Sequence, residues 1–261
     1  MGDTLRLASI MMKILFIGCV KSSERFLGEI EPFSEISIVG IVSRSKAPRN
    51  SDFCSLLPFA KQRNLPALDY HPSRIGEFRE FVCRLEFDAI FCFGWSHLLP
   101  IDVIKLAPMG AIGFHPAPLP KGRGRHPIIW TLALGLTETA SCFFEMTKGA
   151  DEGDIVSQEP VKVDNSDDAG SLYDKILDTA CLQLRDWVPK LSSGQLIPIP
   201  QNSDQAQNWR KRDQSDGMID WRMPAISIHN LVRALARPYP GATIRFSGAN
   251  IVVRKTEVTS H

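Results

Sequence analysis

The sequence predicts an α/β protein built on a doubly wound, Rossmann-like and mostly parallel sheet. Three observations carry this. KILFIGCV (13–20), ISIVGIVSR (36–44) and FDAIFCFGW (87–95) are continuous apolar, β-rich runs, the pattern of strands covered on both faces. Segments with helical spacing separate them, at 22–30, 52–64 and 75–86. Strands alternating with helices favour right-handed crossovers between parallel neighbours.

The remaining elements follow in order. Ser22 and Ser23 stand where the first helix is capped. Pro100 to Leu106 starts a short helix, AIGFH (111–115) is a fourth strand, and Pro127 to Gly135 is another helix. TASCFFEM (139–146) and DIVSQEPVKV (154–163) are further strands. DDAGSLYDKILDTACLQLRDWVPKL makes an amphipathic helix with Asp167 or Asp168 as its cap. Residues 194–217 are polar and lack an apolar period, so they read as a linker. The tail gives one helix, a Pro-Tyr-Pro-Gly turn and a hairpin around Ser247-Gly248. That is too little to fold alone, and it is expected to pack on the main domain. The expected organisation is an N-terminal extension (1–12), a main domain (13–200), and a linker with a small helix-plus-hairpin C-terminal subdomain (201–261).

Composition narrows the function. The chain has 261 residues, 44% hydrophobic and 23% charged, which describes a soluble globular protein with a sizeable core. A formal charge of +1 gives no global field to attract nucleic acid or an anionic membrane. No run approaches the roughly 18 apolar residues that cross a bilayer. Lys13 and Lys21 bracket the apolar run near the N-terminus closely, so a buried strand fits it better than a signal peptide. The six cysteines form no C-x-x-C pair and mostly lie in apolar runs. Buried reduced thiols of a cytoplasmic protein are expected rather than zinc or disulfides, and His and Cys spacing suggests no metal.

The first strand leads into Gly18-Cys19-Val20-Lys21-Ser22-Ser23, which is neither a dinucleotide fingerprint nor a P-loop. In open α/β sheets ligands bind beyond the carboxyl ends of the strands. FCFGWSHLLP and GFHPAPLP end there, which makes His97 and His115 candidates. MTKGADEGDIV leaves another strand through an acidic, Gly-rich loop bearing Asp151 and Asp154. A carboxylate beside an imidazole orients its tautomer and suits proton transfer near neutral pH. From spacing alone the acidic loop is equally a solvated turn. Lys121, Arg123 and Arg125 follow His115, a basic run with the chemistry to meet a phosphate or carboxylate.

H-P-x-x-L-P-x-x-R-G-R-x-P from His115 to Pro127, then Thr137-Glu138-Thr139-Ala140, then M-x-x-G-A-D-x-G-D-I-V from Met146, resembles the formyltransferases that use 10-formyltetrahydrofolate. The resemblance runs in element order over residues 13–195. It continues in the tail, where WRKRDQSDGMIDWRMPAISIHNLVRALARPYPGA looks like the corresponding segment of the sugar N-formyltransferases. It implies the formyltransferase fold, N10-formyltetrahydrofolate as donor, no metal, and transfer to the amine of an amino sugar. A nucleotide-linked sugar of bacterial surface-glycan or nonulosonic-acid biosynthesis is the expected acceptor. Methionyl-tRNA formyltransferase is the alternative, and near-neutral charge weighs against it, so no nucleic-acid or membrane partner is favoured. The tail hairpin offers an edge for pairing into a homodimer.

The family's catalytic set is an Asn, a His and an Asp. His115 and Asp151 match two of them. The Asn position, two residues before the histidine, holds Gly113. A preorganised donor at a developing oxyanion is worth about 3 kcal/mol, so its loss matters. His115 as imidazolium, Ser96, His126, a main-chain N–H, a water or a substrate group filling the space left by glycine would have to replace it. Otherwise the chain is a folate-binding homologue with little catalysis. The resemblance further implies that His97, Leu98 and Leu99 form one wall of a folate pocket, with Thr147, Lys148, Gly149, Ala150 and Asp151 as the other. Arg125 would serve the bound substrates, with Lys121 and Arg123 beside it. Arg237 and Tyr239 would reach a base or sugar, unless their turn only closes the tail on the core.

Overall fold

A computed structural model describes residues 11–47 and 51–259. Most of the expected N-terminal extension, residues 1–10, lies outside the described residues. In chain order the strands and α-helices are β1 (Met12–Ile17), α1 (Lys21–Ile30), β2 (Ile36–Ser43), α2 (Leu57–Gln62), β3 (Ala67–Asp69), α3 (Ile75–Cys83), β4 (Ala89–Cys92), α4 (Ile101–Ile104) and β5 (Ala111–His115). They continue with β6 (Arg123–Gly124), α5 (Pro127–Ala133), β7 (Glu138–Glu145), β8 (Ile155–Lys162), α6 (Ala169–Ser192), β9 (Asn208–Trp209), α7 (Ala225–Ala234), β10 (Ala242–Phe246) and β11 (Ala249–Val253). Seven strands form one sheet in the order β3-β2-β1-β4-β5-β7-β8. β1 runs parallel to β2 and β4, and β2 to β3, whereas β7 and β8 are antiparallel.

The chain divides into two compact units. The first holds residues up to Lys46, Cys54–Ile112 and Leu184–Leu196. Its centre is β1, where Ile14, Leu15, Phe16 and Ile17 are all fully buried. Phe93 meets Phe16 and Phe26 edge-on, each at 5.6 Å between ring centres, and Phe91 packs on Trp187. Ser23 fixes the entry to α1: its hydroxyl accepts from Val20 N and donates to Phe93 O at 2.6 Å. α2 is shorter than the expected 52–64, because Pro58 suits only a helix's first turn, and the chain before it is irregular. β3 has three residues and no apolar alternation, so the sequence carried no sign of it.

The second unit holds Ala47–Phe53, Gly113–Gln183 and Ile197–His261. Ile128 and Leu132 of α5, Leu172 and Ile176 of α6, and Leu231 and Val232 of α7 share its main apolar core. Asp168 caps α6 by accepting from Gly170 N (2.9 Å) and Ser171 N (3.0 Å). β10 and β11 pair across the Ser247-Gly248 turn as expected. The 194–217 stretch is not a free linker. β9 pairs with β6, Gln207 N donates to Pro120 O (3.1 Å), and Arg123 N donates to Gln207 O (2.9 Å). Ile199 also exchanges two 2.8 Å backbone bonds with Ile155. These bonds use main-chain atoms, so the polar side chains gave no hint of them.

Candidate active site

β5 ends on His115, which is 5% exposed although it follows an apolar strand. Its Nε2 lies 2.8 Å from Gly122 O. A carbonyl only accepts, so Nε2 carries the proton and Nδ1 is the basic atom of the neutral ring. Nδ1 lies 3.6 Å from Asp151 Oδ2. The acidic loop is therefore more than a solvated turn. Asp151 has a left-handed backbone (φ +58°), and its Oδ2 accepts from Gly124 N at 2.8 Å. With Oδ2 held by Gly124 N and facing the ring, the geometry suits holding a proton at Nδ1 with a counter-charge beside it.

Gly113 is buried, and the space beside it is taken. A Cβ there would lie 2.8 Å from Phe144 Cζ and 3.2 Å from Met146 Cγ. Phe144 belongs to a small apolar cluster with Leu119 and Cys142, packed by Met146 and Ile155. Burial pushes the Cys142 thiol far above its ordinary range. The side chain that a Cβ at this position would meet first is thus an aromatic ring.

The basic run separates into different environments. Lys121 and Arg125 are exposed. Arg123 is 6% exposed, and its Nε and Nη2 both donate to Gln201 Oε1. Two of its guanidinium nitrogens are thus engaged within the protein. His126 has a left-handed backbone, and its Nδ1 accepts from Arg212 N at 3.3 Å. Burial, followed by the charges of Arg125, Arg212 and Lys211, lowers its pKa below the ordinary histidine value. The guanidinium of Arg212 lies over the Trp130 ring at 4.6 Å, and Trp130 Nε1 donates to Arg210 O.

Of the expected folate walls, Thr147, Lys148 and Ala150 are exposed and Gly149 is half-buried. Leu98 is 65% exposed while Leu99 is 6% exposed, so only Leu98 presents its side chain to solvent. His97 forms an aromatic triangle with Tyr70 and Trp95, ring centres 5.0–5.8 Å apart. Arg237 is exposed, but Tyr239 packs against the second unit's core and burial raises its hydroxyl pKa. This packing agrees with a turn that closes the tail on the core. Gln201, Phe144 and Gly122 escaped the sequence reading. Gln201 sits in a polar stretch, and no local pattern marks which of its residues face inward.

A family model described as formyl transferase matches residues 37–184, and one described as its C-terminal domain matches residues 211–261. The chain belongs to the formyl transferase family. It is a formyl-transferring enzyme whose two family segments flank the Gln201 region. Solved structures carry the same fold. A 4-N formyltransferase from Francisella tularensis matches with TM-score 0.76 at 18% identity, over 95% of this chain and 100% of that one. An N-formyltransferase from Helicobacter canadensis, solved with folinic acid and dTDP-3-aminofucose, matches with TM-score 0.72 at 16% identity, over 93% and 87%. WlaRD, a sugar 3N-formyl transferase solved with dTDP and 5-N-formyl-THF, matches with TM-score 0.68 at 17% identity, over 93% and 85%. Among the described residues of this formyltransferase, no helix is long and apolar enough to cross a membrane. No group of three or more His, Cys, Asp or Glu is placed there to hold a metal ion.

Proposed function

We propose that this formyltransferase moves a formyl group from N10-formyltetrahydrofolate to the amine of a nucleotide-linked amino sugar in a cytoplasmic step of glycan synthesis. The observation that carries the chemistry is the His115–Asp151 pair, 3.6 Å apart, with Nε2 committed to the Gly122 carbonyl. The sugar acceptor is supported by the solved relatives, two of which were solved with a formylated folate together with dTDP or dTDP-3-aminofucose.

In this reading the acceptor nitrogen attacks the formyl carbon, one N–C bond forms, and the bond from that carbon to the donor nitrogen breaks. The attacking amine must lose a proton and the departing nitrogen must gain one. His115 Nδ1 takes up the first, and the Asp151 carboxylate stabilises the resulting imidazolium. The same proton then returns to the leaving nitrogen, so no net charge is left on the protein. The loop from Thr147 to Asp151 contributes backbone polar groups toward the donor, and Lys121 and Arg125 supply cations for a phosphate.

The filled space beside Gly113 favours one second reading, a folate-binding homologue with little turnover. Mass spectrometry separates the two. The protein is incubated with 10-formyltetrahydrofolate and a panel of dTDP- and UDP-linked amino sugars. A product one formyl heavier, lost in His115→Ala and Asp151→Asn, supports the transferase. No product across the panel, with folate binding measured calorimetrically, supports the homologue.

A further inference from the structure

The side chain of Gln201 joins three parts of the second unit. Its Oε1 accepts from Arg123 Nε at 3.1 Å and Nη2 at 2.8 Å. Its Nε2 donates to Asp151 O at 2.9 Å and to Gly153 O at 2.6 Å. A guanidinium only donates and carbonyls only accept, so these four bonds fix which end of the carboxamide points where. The four bonds of the carboxamide are thereby shared among Arg123, Asp151 and Gly153.

The beneficiary is Asp151. A non-glycine residue keeps a left-handed backbone only when its surroundings hold it there, and Asp151 has φ +58°. From that conformation its carboxylate reaches Gly124 N and faces His115 Nδ1. Arg123 and Gly124 are neighbours on β6, which pairs with β9 of the same polar stretch that carries Gln201. One end of the clamp therefore holds the main chain of Asp151, and the other is anchored beside the amide that receives its carboxylate.

We infer that Gln201, oriented by buried Arg123, is a positioning residue that holds the Asp151 backbone so that its carboxylate faces His115. The inference rests on the proposed catalytic role of Asp151 for its consequence in turnover, but not for its geometry. The amide of Gly124 reports that geometry without any substrate, because Asp151 Oδ2 is its partner.

The decisive experiment is NMR-detected hydrogen exchange at Gly124 in the full chain. Gln201→Ala is expected to speed exchange there by about tenfold, the loss of one well-made hydrogen bond. Exchange at Phe143 of β7 should stay unchanged. Gln201→Glu keeps the size and the Arg123 partners but removes the two amide donors, and should act the same way if the alanine variant folds poorly. Exchange at Gly124 within twofold of the parent in a folded variant of either kind overturns the inference. On any amino-sugar acceptor that the parent formylates, Gln201→Ala should lower kcat by about 10- to 100-fold with KM unchanged. In an Asp151→Asn background it should cost nothing more, because the group it positions is already gone. A merely structural glutamine would cost the same in both backgrounds. Should no acceptor be turned over by the parent, the functional reading fails while the exchange result still decides the positioning.

Discussion

The ring of Phe144 stands 2.8 Å from where a Cβ on Gly113 would lie. Glycine at this position is thus one half of a packed pair, not a vacancy awaiting a side chain. Gly113→Asn alone should overpack the Leu119–Cys142–Phe144 cluster and cost about 1–3 kcal/mol in urea unfolding. Gly113→Asn combined with Phe144→Ala should cost less than the sum of the single changes. A Gly113→Asn protein as stable as the parent, with raised kcat, would show that the ring yields freely.

His115 and Asp151 should be separable from folding and from donor binding. His115→Ala and Asp151→Asn are each expected to lower kcat by roughly 10²- to 10⁴-fold. Calorimetric affinity for tetrahydrofolate should stay within a few-fold of the parent for His115→Ala. Equal losses of kcat and of affinity would mean that the pair builds the binding site and does no proton chemistry.

His126 should leave a pH signature on stability. Burial and the nearby cations lower its folded-state pKa below the unfolded value of about 6.5. The folded state then binds fewer protons than the unfolded state in the window between the two values. Stability therefore rises with pH across that window: it is fully present above about 6.5 and is lost as pH falls from there through the lowered folded-state value. Urea midpoints measured from about pH 5 to about pH 8 should show this slope, and His126→Gln should flatten it. An unchanged slope in the variant would assign the effect to other groups.

Gly124 should tolerate no side chain. A Cβ would come within 2.4 Å of Trp209 O, and its φ of +104° is one that other residues rarely adopt. Gly124→Ala is expected to loosen the β6–β9 pair at a cost of about 1–3 kcal/mol. Faster proteolysis within residues 205–217 should accompany it. A parent-like cleavage pattern would mean that β9 is held by other bonds.

The sequence by itself determined the central strands β1, β2, β4 and β5, because their apolar runs are continuous, but not the three-residue β3 at the edge. Its residues offered His97 and His115, and Asp151 and Asp154, as candidates, and the family resemblance narrowed these to His115 and Asp151. Only the tertiary structure decided that the two face each other, which ring nitrogen is committed to Gly122 O, and what fills the space beside Gly113. It also turned Arg123 inward and packed Tyr239 against the second unit's core. The physical reason is the same each time. Periodicity records which residues are apolar, and so which faces are buried. Hydrogen bonds such as those of Gln201 join residues far apart in the chain through single polar atoms, and such atoms leave no period to read.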